Sequence, residues 1–470
     1  MFILFLSALS TFSKPPSCCA RANNLWIPGR YNDGFAFVAE GQCKSEATGA
    51  RATVDVARRA SARAPRDSAC RARYQSAVPA LAAQPLNLRN LDAQEMASAL
   101  APFGVAADVS RRVFAAVHRD GVDSLEAAQP RLRGLSLPAA RRIDAAAVWP
   151  RLEVLERRRA SDGFLKYLFR LADGPSIEAV RIPLPDPEAA RALRAARAAG
   201  EAPRGLTALP TAKYTVCLSS QAGCALACDF CATGRLGGIR SLETWEILEQ
   251  LRVVAAEADH PVRGAVFQGM GEPLLNYQSV TRAARVLSHP AGPAIAAKAI
   301  TISTAGVVPA IRRYLDERQP YRLIFSLGAP NSAERALLMP IERRWPLPEL
   351  MGAIRSYVEA TRTRATIAYV AIGGVNTTPE HARQLAALLA GVKVKLNLID
   401  VNDETGRYHP PTPDELEAFR DALAQEWGGP VVRRYSGGGE IGAACGTLSA
   451  SRRGGASVDG PEGGRLPILP

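Results

Sequence analysis

The feature that most limits what this chain can become is an alternation. From residue 214 to 435, strand-like runs stand at 214–218, 264–267, 298–303, 322–327, 366–371, 392–399 and 431–435. Most are separated by stretches whose apolar residues recur at helical spacing. In residues 242–256, Trp245, Leu248, Leu251 and Val254 share one face, and Ser241 stands where an N-cap would. A second such helix is expected over 413–427. Alternation of this length predicts a parallel α/β sheet, open or closed into a barrel. In these folds the chemistry sits on loops that follow the carboxyl ends of the strands.

Upstream the pattern differs. Residues 91–148 read as short helices punctuated by Gly and Pro, for example 92–100 and 107–118, and predict a small helical domain over 86–150. Strand-like runs at 167–171 and 178–182 flank a turn-rich stretch, and 184–212 is rich in Ala, Arg and Pro, so 151–212 is expected to be a strand-containing linker with an insertion. Residues 1–85 show neither period. Their first twelve residues are apolar but lack a basic flank and are too short to span a bilayer, so 1–85 is read as a disordered or over-extended start and 451–470 as a flexible tail.

Charge narrows function less than it first promises. The formal net charge is +13, which suits an anionic partner such as nucleic acid, but residues 1–85 alone hold 11 Lys and Arg against 5 Asp and Glu. Arg111, Arg112, His118 and Arg119, with the run Arg157, Arg158 and Arg159, are candidates for tracking phosphates; solvated helix faces explain them equally well.

The cysteines say more. Of nine, four lie in the first 70 residues (Cys18, Cys19, Cys43, Cys70), four cluster over 217–231, and Cys445 stands alone. An odd count with one tight cluster indicates metal or catalytic chemistry in a reducing compartment, not a disulfide framework. The loop after the first core strand reads Cys224-Ala-Leu-Ala-Cys228-Asp-Phe-Cys231. Three thiolates at this spacing suit three corners of a cubane iron–sulfur cluster and leave the fourth iron free to act on a substrate. Structural zinc would want a fourth ligand, and none lies at ligand spacing just downstream.

These residues, together with Gly269-Met-Gly-Glu-Pro-Leu-Leu-Asn276, Ile302-Ser-Thr-Ala-Gly306, Ser326-Leu-Gly-Ala-Pro-Asn331 and Ala443-Ala-Cys445-Gly446, resemble the RlmN/Cfr family of radical S-adenosylmethionine (SAM) adenosine methyltransferases. The resemblance covers roughly residues 87–450. It implies a partial (β/α)6-type radical-SAM barrel over 213–450 with a small N-terminal helical domain, and a [4Fe–4S] cluster on Cys224, Cys228 and Cys231. It also implies SAM contacts from Gly271, Glu272, Ser303, Ser326, Leu327, Gly328 and Asn402. Cys445 would take a methyl group from one SAM, and a radical made from a second would abstract hydrogen from that S-methyl before addition to the base. Cys217 would resolve the adduct through a transient disulfide, and Glu178 would remove its proton.

The same resemblance implies an RNA substrate, 23S rRNA or tRNA or both, with C2 of adenosine favoured over C8, and a flavodoxin- or ferredoxin-type electron donor. A cytoplasmic monomer with no membrane association is expected. The chain departs from the family at Gly328, usually His, at Thr447, usually Gln, and at Ser436-Gly-Gly-Gly-Glu440, usually more charged. Two other readings stay open on sequence: a radical-SAM enzyme of another reaction type, which needs only the three cluster cysteines, and a non-catalytic iron–sulfur RNA-binding paralogue.

Overall fold

The computed structural model describes residues 85–198, 209–434 and 436–450; the expectations for 1–84 and 451–470 fall outside these. Ten strands form one sheet: β1 (Glu153–Arg159), β2 (Leu165–Arg170) and β3 (Ser176–Pro185) stand at one edge, followed in order by the seven strands given next. β4 (Thr211–Leu218), β7 (Val262–Phe267), β8 (Ile300–Thr304), β9 (Arg322–Ser326), β10 (Ala365–Ala371), β11 (Val394–Asp400) and β12 (Val431–Arg434) run parallel. Each matches a strand expected from sequence. Among the described residues no ladder joins β12 back to β1, so the barrel is partial. Val216, Phe267, Ile302, Phe325, Ile367 and Leu396, one from each of the first six parallel strands, are fully buried. Each such side chain contributes about 1.5–3 kcal/mol.

Residues 151–185 do more than link. β1 (Glu153–Arg159), β2 (Leu165–Arg170) and β3 (Ser176–Pro185) form an antiparallel extension hydrogen-bonded through β3 to β4. β1 was hidden in the sequence because its Arg-rich face reads as solvated loop. In the insertion, the helix Pro187–Ala198 is seen.

A further difference concerns a helix start. The helix expected from residue 242 begins at Thr244, capped by Glu243 in a reciprocal capping box with Glu246. Ser241 instead ends β6 (Gly238–Ser241), which pairs with β5 (Gln221–Gly223) to form a ribbon around the cysteine loop.

The helical region packs against this framework. Its helices include Ala93–Leu100, opened by an Asp92–Glu95 capping box, and Ala107–His118. Arg282 and Arg285 of the helix Tyr277–Ser288 reach back to Glu95 (2.7 Å) and Asp92 (3.1 Å). The phosphate-tracking candidates divide here. His118 turns its ring inward against Phe114, bonds Leu91 O through Nε2 at 3.0 Å, and is pushed down to about 4 by burial; it carries no cation at neutral pH. Arg157 and Arg158 are engaged by Glu257 and Glu156. Arg111, Arg112, Arg119 and Arg131 line one groove of about 300 Å3, with Arg112 and Arg119 held by Asp108 and Asp120.

Candidate active site

Every expected SAM-contact residue falls at or just beyond the carboxyl end of a parallel strand. Gly271 and Glu272 follow β7, Ser303 lies at the end of β8, Ser326, Leu327 and Gly328 at the end of β9, and Asn402 just after β11. Gly271 is left-handed (φ +96°), and a Cβ there would meet the Gln221 side chain at 2.5 Å, so this close approach requires glycine. Gln221 Oε1 in turn accepts from Glu272 N at 2.8 Å. Glu272 is buried, with one carboxylate oxygen accepting from Leu274 N (3.0 Å) and the other from Ala305 N (2.8 Å). Burial pushes its carboxyl up to about 7, the hydrogen bonds opposing. A buried carboxylate of this kind, with no cation among its hydrogen-bond partners, is suited to receive an ammonium group.

The cluster loop runs from β5 into the short helix Ala232–Arg235. Burial pushes the Cys224 thiol up to about 12 and the Cys228 thiol well above its ordinary value; the charges of Cys231 and Glu272 add to both. Buried thiols raised in this way become thiolates only beside compensating positive charge, which iron supplies. A cubane takes one thiolate for each iron, so the donor set of three cysteines on one loop fits three of its corners.

Beside this loop lies a cavity of about 360 Å3 whose walls include Phe164, Val180, Cys217, Cys231, Arg434 and Cys445. Cys217 and Cys445 are both free thiols. Burial, with the charge of Cys445 next, pushes Cys217 up to about 12. Cys445 sits on a glycine-rich segment held at many points. Its N donates to Ser436 Oγ (2.8 Å), Ala232 N donates to Gly446 O (2.8 Å), and Thr233 Oγ1 donates to Leu448 O (2.6 Å). The carrier-candidate segment is thus tied directly to the residues that follow Cys231.

Residues 218–389 match the Radical SAM superfamily. A probable RNA methyltransferase of Myxococcus xanthus is 51% identical over 376 residues, 80% of this chain and 98% of that protein. The dual-specificity RNA methyltransferase RlmN of Syntrophobacter fumaroxidans is 38% identical over 370 residues, 78% of this chain and 99% of that protein. The chain belongs to the RlmN/Cfr family of radical-SAM RNA methyltransferases. Among solved structures, a radical SAM methyltransferase from Sphaerobacter thermophilus aligns with TM-score 0.67 and 34% identity, covering 78% of this chain and all of that one.

The departures from the RlmN/Cfr pattern have local explanations. At Gly328, φ is +79° and a Cβ would collide with Met339 Sδ; the methionine fills the place a larger residue would need. Gly437 and Gly438 let Phe164 of the β1–β2 turn press onto their backbone. Thr447 is buried and donates from Oγ1 to Ala444 O at 2.8 Å, closing the turn that carries Cys445.

Sequence reasoning missed three residues here, Lys166, Gln268 and Arg434, and misjudged the burial of a fourth, Glu178. Glu178, which taken alone reads as a solvent-facing strand residue, is fully buried and pairs with Lys166 at 2.9 Å. Arg434 donates to Gln268 Oε1 at 2.9 Å across the barrel mouth, since β8 to β11 separate their strands. Lys166 gave a faint signal, a lone cation inside the apolar β2. For Gln268 and Arg434, which meet only through the fold, there was none.

Proposed function

We propose that this protein methylates a ring carbon of adenosine in RNA, with Cys445 as the methyl carrier. The observation that carries the reading is the single cavity bounded by Cys445, Cys217 and Cys231, which sets a carrier thiol, a second thiol and the cluster loop within reach of one bound base. An sp2 C–H of adenine is neither acidic nor nucleophilic, so a covalent protein carrier splits a difficult transfer into feasible steps. Cys224, Cys228 and Cys231 would hold the [4Fe–4S] cluster, which would supply one-electron radical chemistry with SAM.

The remaining roles belong to the chain itself. Glu272 receives the SAM ammonium, Gly271 admits it, and Ser303, Ser326, Leu327, Gly328 and Asn402 complete the cradle at the strand ends. Glu178 projects from the β3 face that also presents Val180 and Ile182 to the cavity, and burial raises its carboxyl, which suits it to take a proton from the adduct. Cys217 then releases the product by forming a transient disulfide with Cys445. The base must leave its stack to enter the mouth, so a single-stranded loop of 23S rRNA or tRNA is the substrate, with C2 the favoured position. The arginine groove of the helical region tracks its phosphates. Among the described residues no helix is long and apolar enough to cross a membrane, and the proposed setting is a cytoplasmic monomer fed by a flavodoxin- or ferredoxin-type donor.

The test is nucleoside mass spectrometry of rRNA and tRNA incubated anaerobically with the cluster-loaded protein, SAM and reductant. New 2-methyladenosine that disappears in Cys445→Ala supports the scheme. Full turnover in Cys445→Ala would return the chain to a different radical-SAM reaction.

A further inference from the structure

We propose that Lys166 is a positioning residue for Cys445: its ammonium, paired with Glu178, clasps the backbone on both sides of the carrier cysteine. This rests on the reading of Cys445 as carrier given above.

The clasp follows from register. Lys166 pairs with Val180 and Leu168 with Glu178 across β2 and β3, so Lys166 and Glu178 stand diagonally on one sheet face. Val180 and Ile182 on that face line the cavity. Both charges are withdrawn from water, the Lys166 side chain 7% exposed and that of Glu178 fully covered. The ammonium sits 2.9 Å from Glu178 Oε1 and donates to Gly442 O at 3.1 Å. The other carboxylate oxygen accepts from Ser449 N at 3.1 Å, with the Ala450 N–H also bearing on it. Gly442 lies three residues before Cys445 and Ser449 four after it. One ion pair therefore holds the two ends of the short segment that presents the sulfur.

A buried pair is a poor way to gain stability, because apolar residues of the same volume serve as well or better. What this pair provides is direction. The ammonium accepts no hydrogen bond and so must face a carbonyl, and the carboxylate must face N–H groups. That fixes Gly442 and Ser449 in a definite orientation, where an apolar contact would let the segment slide. The segment needs such fixing because Gly437, Gly438, Gly439, Gly442 and Gly446 give its backbone wide freedom. The bonds from Ala232 and Thr233 anchor it towards the cluster loop; the Lys166–Glu178 pair, together with the Gly438 N to Asp162 Oδ2 bond, anchors it towards the antiparallel extension.

The experiment compares wild-type full-length protein, loaded anaerobically with its cluster, with Lys166→Met, Lys166→Arg and the neutral double variant Lys166→Met/Glu178→Gln. Three readouts are taken: S-methylation of Cys445 by peptide mass spectrometry, 5′-deoxyadenosine yield, and backbone hydrogen exchange over 436–450. In Lys166→Met, which leaves Glu178 in place, SAM cleavage stays near wild type. In that variant and in the double variant, Cys445 methylation slows at least about tenfold, as expected for losing a buried charged hydrogen bond, and 436–450 exchanges faster. Lys166→Arg recovers most of both. Should the double variant methylate Cys445 and exchange like wild type, Lys166 merely balances the charge of Glu178 and the proposal is wrong. If Lys166→Met does not fold, the double variant, which buries no unpaired charge, decides alone. Wild-type protein that never carries methyl on Cys445, yet shows the exchange difference, removes the carrier reading and leaves the clasp standing.

Discussion

Replacing Gly328 by alanine measures how tightly the chain has compensated for its departure from the family. The left-handed backbone there costs an alanine about 1–2 kcal/mol. The new methyl group also collides with Met339 Sδ in a fully packed environment, Met339 being 1% exposed. Overpacking of this kind adds about 1–3 kcal/mol, so the substitution should cost about 2–5 kcal/mol in all. Met339→Ala alone opens a cavity and should cost about 2–5 kcal/mol. Combined, the changes relieve each other: the space left by the methionine accepts the new methyl, and the double variant should be more stable than the sum of the singles by about 1–3 kcal/mol. Urea unfolding of the four proteins, followed by circular dichroism under anaerobic conditions, gives the cycle. Additivity to within about 0.5 kcal/mol, or a Gly328→Ala variant as stable as wild type, would show that Met339 does not occupy the missing side chain's place.

Other consequences are as direct. His118 is held neutral by burial with a pKa of about 4, below its unfolded value. Its contribution is complete above pH ~6.5 and is lost as pH falls towards 4; at pH 5 the loss should be about 1 kcal/mol after allowing for partial solvent access, and His118→Gln should flatten that part of the urea-unfolding pH profile. Cys217, pushed to about 12 in its buried site, should be alkylated by iodoacetamide at pH 8 at least about a hundredfold more slowly than an exposed cysteine. A peptide-resolved time course in which Cys217 reacts at the exposed rate contradicts the burial. Gly223 adopts φ +71°, and a Cβ there would strike Gly237 O across the ribbon beside the cluster loop. Gly223→Ala should therefore lower bound iron per chain after reconstitution, and normal iron content would mean the ribbon does not shape the cysteine loop.

What the sequence disclosed, and what it hid, follows range of interaction. The central parallel strands announce themselves because most of their residues are buried and read as apolar runs, so the expected and observed limits agree within a few residues. The cluster-loop candidates and Cys445 could be singled out because their signals, a C-x3-C-x2-C spacing and a cysteine among small residues, are local. The start of the helix at Thr244 was misplaced because Ser241 is claimed by a strand pairing with Gln221, a contact no cap rule anticipates. Glu178 looked exposed because its counter-ion lies on another strand and the backbone N–H that donates to it lies 271 residues away in the chain. Arg434 and Gln268 stand 166 residues apart and meet only once the sheet has curled.

The open seam between β12 and β1 has a mechanical consequence. Elsewhere, moving a strand means breaking a backbone ladder; across the seam the connection is made by a coil and a few side-chain bonds, among them Gly438 N to Asp162 Oδ2 at 2.8 Å. The stretch bearing Cys445 is therefore seated by individual bonds, to Lys166, Glu178, Ala232 and Thr233, and a single substitution among them can shift it without breaking a ladder.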